Sequence, residues 1–344
     1  MKILIVKLGS IGDIIHTLPA LAAIRAAMPK AEISWAVEKR SAEILRGNPM
    51  IDRLIEVDTR SLRSGKVVEG ILAGIRSQFR DLRRFKFDIA LDFQGLLKSA
   101  AIAKLAGAKV RYGFDKDNLR EPASRIFLNR SVDIPPQTHI IRKNLTLAEK
   151  ALEIEVPQDN FAFPISTEME HKLESIRLIE AAGQNFAILN PAGGWVTKLW
   201  YAEKYGRLAD MLWESNRLTS IVANGPGESE LSDVVVAASK SGKILPAQPS
   251  LKGFFELARS AKIYVGGDTG PTHLSIAAGA PVVGIFGPTE WWRNGSPNPA
   301  DICVERFDIG CRVDCHRRAC SNWICMDITV ETVFQAVQKR LGNG

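Results

Sequence analysis

The stretch KIYVGGDTGPTHLSIAAGAPVVGIFGPTE is the richest in residues whose types and spacing support chemistry. An apolar run ends in Gly266 and Gly267, a short loop carries Asp268, Thr269, Gly270 and Pro271, and a helix is predicted to open at Thr272. A glycine-bearing loop that runs into a helix start presents unpaired N–H groups and the positive end of the helix dipole, a favourable place for phosphate. The diphosphate of a nucleotide is the expected ligand; the competing reading is a tight turn in which Thr269 or Thr272 only caps the helix. His273 takes its meaning wholly from this context.

Three further places carry related chemistry. In LGSIGDII, Gly9 and Gly12 allow close backbone approach and Asp13 falls at the start of the next helix. An aspartate there either caps the helix or accepts a proton from an attacking hydroxyl as a weak base. In NPAGGWVTKLW, Gly193 and Gly194 follow a strand, and the Lys198 ammonium can neutralise a leaving diphosphate. In ANGPGESE, Glu228 follows a Gly-Pro-Gly turn and suits a ribose hydroxyl pair. For each, a solvated loop charge is the plain alternative. The sequence has no GxxxxGK[ST] loop, no GxGxxG after the first strand, no HExxH and no GxSxG, which disfavours a kinase, a simple dehydrogenase, a zinc protease and a serine hydrolase.

These motifs need elements to hold them. KILIVKLG reads as a buried parallel strand followed by a helix over DIIHTLPALAAIRAAMP, and the strand, turn, helix order recurs through EISWAVE, DRLIEVD, FDIALDFQ and VRYGFD. After the proline-bearing EVPQDNFAFPISTE, a second alternating half runs through FAILNP, LTSIVANG, KIYVGGD and PVVGIFG. Ser250 is the expected cap of the helix over LKGFFELARSA, and ITVETVFQAVQKRL is a final amphipathic helix. The expected organisation is α/β, with one Rossmann-like doubly wound domain over 1–160 and a second over 161–325. The last helix, 326–344, is free to return to the first domain. Two such domains are expected to place the carboxyl ends of their strands toward a shared crevice.

At 344 residues and 46% hydrophobic, the chain can bury a full core for two domains. Its start is too short in apolar residues and too charged, at Lys7 and Asp13, for a signal peptide. No stretch approaches the roughly 18 apolar residues of a membrane-spanning helix, so membrane contact is expected to be peripheral. The net charge of +7 is uneven. From Arg60 to Lys86, eight basic residues stand against Glu69 and Asp81, a local excess of +6. A solvated helix face or a patch for an anionic partner or lipid surface both fit; nucleic acid is disfavoured, because no aromatic residues interleave the charges in a binding motif.

Taken together, KLGSIGDIIHTLPAL, DFQGLLKSA, REPASRIFLNR, TKLW and GGDTGPTHLSIAAGAPVVGIFGPT resemble glycosyltransferase family 9, the ADP-heptose:lipopolysaccharide heptosyltransferases, and within it the branch that adds the first heptose. The resemblance runs through most of the chain. It implies the GT-B architecture and inverting transfer of L-glycero-D-manno-heptose from ADP-heptose to Kdo of the lipopolysaccharide inner core, carried by Kdo-lipid A, at the cytoplasmic face of the inner membrane and without metal or other cofactor. It implies that Asp13 is the base and that Ser10 contacts the donor. Lys198 would meet the phosphates, Glu228 the ribose, and Asp268, Thr269, Gly270 and His273 the diphosphate and heptose. Gly193 and Gly194 stand where the first-heptose branch often has threonines, so backbone N–H groups would replace hydroxyls there. Arg120 in the REP motif is an implied acceptor contact, and the basic segment led by Arg60, Arg63 and Lys66 is expected to meet the same polyanion. A later-heptose transferase of the family, a sugar-nucleotide epimerase or hydrolase, and a non-catalytic nucleotide-sugar binder are the competing functions.

Cys311, Cys315, Cys320 and Cys325 are spaced by three, four and four residues, with Cys303 upstream. None of these spacings is the CxxC of a zinc site, and free thiols, a disulfide and a metal all remain open.

Overall fold

The computed structural model describes residues 1–58, 82–311, 315 and 317–342. The chain divides into two compact units, Met1–Ser166 and Thr167–Gly344.

In the first unit the strands are β1 (Lys2–Val6), β2 (Glu32–Glu38), β3 (Arg53–Val57), β4 (Ile89–Asp92), β5 (Val110–Phe114) and β6 (Arg130–Val132). They pair in parallel in the order β3-β2-β1-β4-β5-β6. The helices are α1 (Ile11–Ile15), α2 (Leu18–Ala27), α3 (Leu97–Leu105) and α4 (Ile140–Leu152). In β1, Ile3, Leu4, Ile5 and Val6 are all fully buried. Successive side chains point to opposite faces, so this uninterrupted burial means that both faces of the sheet are covered.

The single helix predicted after β1 is two. α1 ends at Ile15, and α2 begins at Leu18 with Pro19 in its first turn, a position where the missing N–H costs nothing. The break is held by Asn144 of α4, whose Nδ2 donates to His16 O at 2.9 Å and lies 3.1 Å from Thr17 Oγ1.

The second unit repeats the arrangement. After α5 (Met169–Ala182) come β7 (Phe186–Asn190), α6 (Ala202–Asn216), β8 (Thr219–Ala223), α7 (Ser229–Ala238), β9 (Ile244–Ala247) and α8 (Leu251–Ala258). Then follow β10 (Ile263–Gly267), α9 (Gly270–Ala278), β11 (Val282–Ile285), α10 (Trp291–Asn294), β12 (Ile302–Val304) and α11 (Val330–Leu341). The parallel order is β12-β11-β10-β7-β8-β9. Numbered from its own first strand, this is the order of the first sheet, so each unit is a doubly wound sheet whose winding reverses between its first and fourth strands. Ser250 caps α8 as expected, its Oγ accepting from Gly253 N at 3.0 Å.

α11 packs on the second unit's own elements, against α6, β11 and β12, through buried Val330, Val333 and Val337. Trp200 Nε1 donates to Ile328 O at 3.0 Å and ties the segment before it to the core. The helix predicted to open at Thr272 opens at Gly270. Thr272 lies within it, fully buried, and its hydroxyl donates back to Gly267 O, which leaves it no capping role.

Gly206 is the close-approach point between α6 and α7. A methyl group there would stand 2.5 Å from Val235 O and 2.7 Å from Ala238 Cβ. Alanine raises intrinsic helix stability by about 1 kcal/mol, but overpacking costs about 1 to 3 kcal/mol. Gly206→Ala is therefore expected to lower the urea midpoint; a raised midpoint would show that the helices separate freely.

Candidate functional site

In the first unit the winding reverses between β1 and β4, and the loops after these two strands meet. Leu8 N donates to Gln94 Oε1 at 3.0 Å and Gly9 N lies 3.4 Å from the same oxygen. Gly9 has φ +138°, and a Cβ there would stand 2.9 Å from Ser41 Oγ, so the turn into α1 needs glycine.

Asp13 lies in the first turn of α1, with Oδ2 2.9 Å from Ser10 N and 3.4 Å from Ser10 Oγ. The capping reading of Asp13 is thus present in the geometry. Capping does not account for its other neighbours. Lys7 Nζ lies 3.6 Å from Asp13 Oδ1 and Arg120 Nη1 lies 3.9 Å from Oδ2. The Asp13 side chain keeps 26% exposure, whereas Lys7 has 2%.

Lys7 was seen in the sequence only as an interruption of an apolar run. Its ammonium donates to Phe93 O at 2.8 Å. Burial lowers its proton affinity, with Arg120 acting in the same sense, while Asp13 and Asp92 work against that. Asp92 is itself buried. Burial pushes its pKa up to about 6 against the opposing hydrogen bonds from Gln94 N, Ser99 Oγ and Gly95 N and the charge of Lys7. A buried lysine so placed needs anionic company, and Asp13 and Asp92 supply it.

In the second unit the reversal lies between β7 and β10, and the loops after them carry a second cluster. Lys198 Nζ is 2.6 Å from Asp268 Oδ2 and 3.2 Å from Asp268 O. Asp268 Oδ1 is 3.2 Å from His273 Nε2 and accepts from Asn294 Nδ2 at 2.7 Å. Burial alone would raise the Asp268 pKa, but the His273 hydrogen bond and the Lys198 charge outweigh it and hold the carboxyl well below the usual carboxylate range.

Thr269, the residue before α9, uses no side-chain cap; its hydroxyl instead lies 3.4 Å from Asn190 Oδ1 and 3.2 Å from Thr272 Oγ1. Pro271 has no N–H and His273 N donates to Thr269 O at 3.3 Å, so the N–H groups of Gly270 and Thr272 are those the opening turn of α9 can offer to a ligand or water. Gly193 is half-buried and Gly194 exposed, in the loop before Lys198; a side chain at Gly194 would meet nothing within 4 Å. The Lys198 ammonium lies 4.4 Å from the centre of the Trp195 ring.

Glu228 stands one strand away, just after β8. Its Oε2 accepts from Gly225 N at 2.7 Å, so one carboxylate oxygen already closes its own turn. The structure therefore gathers Lys7, Ser10, Asp13 and Arg120 at one reversal and Lys198, Asp268, Thr269, Gly270 and His273 at the other. Arg60, Arg63 and Lys66 lie outside the described residues. Asn190 and Asn294 were missed in the sequence; Asn190 ends a strand, a position that carried a signal, whereas Asn294 reaches Asp268 across 26 residues. Cys303, Cys311, Cys315, Cys320 and Cys325 form no disulfide. No group of three candidate metal ligands is gathered among the described residues, and no described helix is long and apolar enough to cross a membrane.

The sequence profile of glycosyltransferase family 9 (heptosyltransferase) matches residues 75–323. The lipopolysaccharide heptosyltransferase 1 of Pseudomonas aeruginosa is 30% identical to this chain over 93% of it and 88% of its own length. The enzyme of the same name from Escherichia coli K12 is 32% identical over 84% of this chain and 89% of its own. Among solved structures, E. coli heptosyltransferase WaaC with ADP matches with a TM-score of 0.80 at 27% identity, covering 99% of this chain and 100% of that one. WaaC with ADP-2-deoxy-2-fluoro heptose matches with a TM-score of 0.78 at 27% identity, covering 98% and 99%.

The Asp268 carboxyl binds its proton more weakly in the folded than in the unfolded chain. Its contribution to stability is therefore present above the ordinary carboxylate pKa of about 4 and is lost as the pH falls through the depressed folded value. Asp268→Asn, which strands Lys198, is expected to cost about 3 to 5 kcal/mol at pH 7. Urea titrations at pH 7 and at pH 3 should show the gap to wild type narrowing in acid. A gap independent of pH would mean that the charge of Asp268 does not hold this cluster.

Proposed function

The chain belongs to glycosyltransferase family 9, and we propose on that premise that the cluster in its second unit receives the donor and the cluster in its first unit activates the acceptor. It is a glycosyltransferase of the GT-B class, transferring heptose from ADP-heptose to the lipopolysaccharide inner core. The observation that carries the reading is the paired charge at the two sheet reversals, in a chain 27% identical to WaaC, whose structure holds an ADP-heptose analogue.

Lys198 and the open start of α9 meet the diphosphate, where they stabilise the charge that develops as the bond from the anomeric carbon to the diphosphate breaks. Asp268 keeps Lys198 in place, with His273 and Asn294 holding the carboxylate. Thr269, Gly270, Gly193 and Gly194 line the approach of the phosphates and sugar, and the second oxygen of Glu228 takes a ribose hydroxyl. The acceptor hydroxyl attacks the anomeric carbon from the face opposite the diphosphate, inverting it. Its proton passes to Asp13, and ADP leaves. Ser10 N donates to the Asp13 carboxylate and fixes it. Lys7 places a buried cation 3.6 Å from the base.

The acceptor is Kdo on lipid A, and the cations that meet its carboxylate and phosphates are Arg120 together with Arg60, Arg63 and Lys66. The same basic segment draws the protein to the anionic cytoplasmic face of the inner membrane, where that acceptor is presented.

With purified ADP-heptose, ADP release should require Kdo-lipid A. Release at the same rate without acceptor would make the protein a sugar-nucleotide hydrolase instead. Neutralising Arg60, Arg63 and Lys66 together should raise the acceptor KM and soften its salt dependence, because exposed charges act over a Debye length of about 8 to 10 Å; unchanged acceptor kinetics would remove this segment from the acceptor site. Lys7→Met is expected to lower kcat by about 10- to 100-fold with the donor KM unchanged. Equal kcat values would show that Asp13 needs no buried counter-charge.

A further inference from the structure

The cysteine-bearing segment is not used by the transfer reaction, yet it leans directly on the loop that carries Lys198. Cys311, Cys315, Cys320 and Cys325 line one cavity of the second unit together with Arg317 and Trp323. Two hydrogen bonds join this segment to the residue before Lys198. Thr197 Oγ1 donates to Arg317 O at 2.6 Å, and Trp323 Nε1 donates to Thr197 O at 3.0 Å. The Arg318 guanidinium lies 5.2 Å from the centre of the Trp195 ring, the same ring that the Lys198 ammonium contacts at 4.4 Å.

We propose that this cavity is a thiol-modification site at which Cys320 exchanges with low-molecular-weight disulfides, and that its modification displaces the Thr197–Lys198 turn and weakens donor binding.

The four thiols are not equivalent. Cys320 Sγ accepts from Trp323 N at 3.4 Å. That bond, a second from Asn322 N and the nearby Arg317 charge lower the Cys320 pKa, whereas burial and the neighbouring thiols raise that of Cys325. Thiolate is the attacking species in exchange, so Cys320 is favoured as nucleophile over Cys325. In the first step the Cys320 thiolate attacks one sulfur of the disulfide. The S–S bond breaks, a mixed disulfide forms on Cys320, and the other half leaves as a thiolate that takes a proton from water. In the second step Cys315 or Cys325 loses its proton to solvent and attacks the Cys320 sulfur, forming an internal disulfide and releasing the second thiol. Two cysteines are oxidised and one small disulfide is reduced to two thiols.

Either product changes the cavity wall. A thiol bonded to Cys320 adds bulk beside Trp323 and Arg317, the two residues that hydrogen-bond Thr197, and an internal disulfide constrains the same short segment; on this proposal either one loosens those two bonds. The consequence for the donor rests on the assignment of Lys198 to the diphosphate.

The test exposes the reduced full-length protein to glutathione disulfide, maps the modified cysteines by peptide mass spectrometry over time, and titrates ADP into reduced and modified protein. Cys320 should react first and faster than Cys303, which lies on β12 outside the cavity. Modified protein should bind ADP about tenfold more weakly, the loss expected when one charge-assisted hydrogen bond fails, and a thiol reductant should restore binding. Cys320→Ser should bind ADP as wild type does and keep that affinity in glutathione disulfide. Comparing wild type before and after modification retains the test even where the variant folds poorly. Reaction of Cys320 no faster than Cys303, or unchanged ADP affinity in modified protein, would overturn the proposal. Reduced Lys198→Met separates the two ideas: wild-type ADP affinity in that variant would overturn the diphosphate assignment, while the order of thiol reaction still judges Cys320.

Discussion

Every described strand runs parallel to its neighbours, so within each unit all the strand carboxyl ends lie along one edge. Helices that return over one face before the first strand of a sheet and over the other after it must part company at that strand. The parting leaves a crevice at the strand ends that no crossover covers. In this chain the crevices lie at β1/β4 and β7/β10, and Ser10, Asp13, Gly193, Gly194, Lys198, Asp268, Thr269, Gly270 and His273 all lie in the loops or first helical turns that follow β1, β7 and β10, whereas Arg120 and Glu228 follow β5 and β8. The buried apolar runs of β1, β4, β7 and β10 matter to function because they fix where these loops begin.

That constraint also explains why charges survive in buried surroundings. An ammonium or carboxylate withdrawn from water must be paired and hydrogen-bonded. Lys198 has a carboxylate at 2.6 Å, and that carboxylate has His273 and Asn294 as further partners. Lys7, still more deeply buried, is divided between Phe93 O, Asp13 and Asp92. Both lysines are held by atoms from the adjoining strand end of the same sheet. Each cluster therefore forms only when its two neighbouring strands are in register, which ties assembly of the site to correct folding of the sheet.

Much of this was legible in the sequence because the signals are local. The strand, turn, helix alternation, the Ser250 cap, the glycines that precede α9 and the amphipathic last helix can each be read within a window of a few residues. What was not legible depends on distance along the chain. The burial of Lys7 requires β4, some 86 residues away, to supply Phe93 O. Asn294 meets Asp268 only after β11 and α10 have been placed. The edge strands β6, β9 and β12 are three or four residues long, and their pairing rather than their composition defines them. A single helix over 13–29 is the natural reading because the apolar pattern barely falters at His16 and Thr17; the break there is held by Asn144 from α4. Asp13 is ambiguous in sequence for a physical reason, since the same carboxylate both caps α1 and stands between two cations.

The division of labour between the two clusters is the central claim, and Asp13→Asn tests it most directly. Asparagine retains much of the capping capacity of aspartate but cannot take a proton. Measured side by side with wild type at a temperature where both are folded, the variant should bind ADP-heptose within a few-fold, while kcat falls by about 10²- to 10⁴-fold. Turnover close to the wild-type rate would contradict the account and leave Asp13 as a helix cap alone.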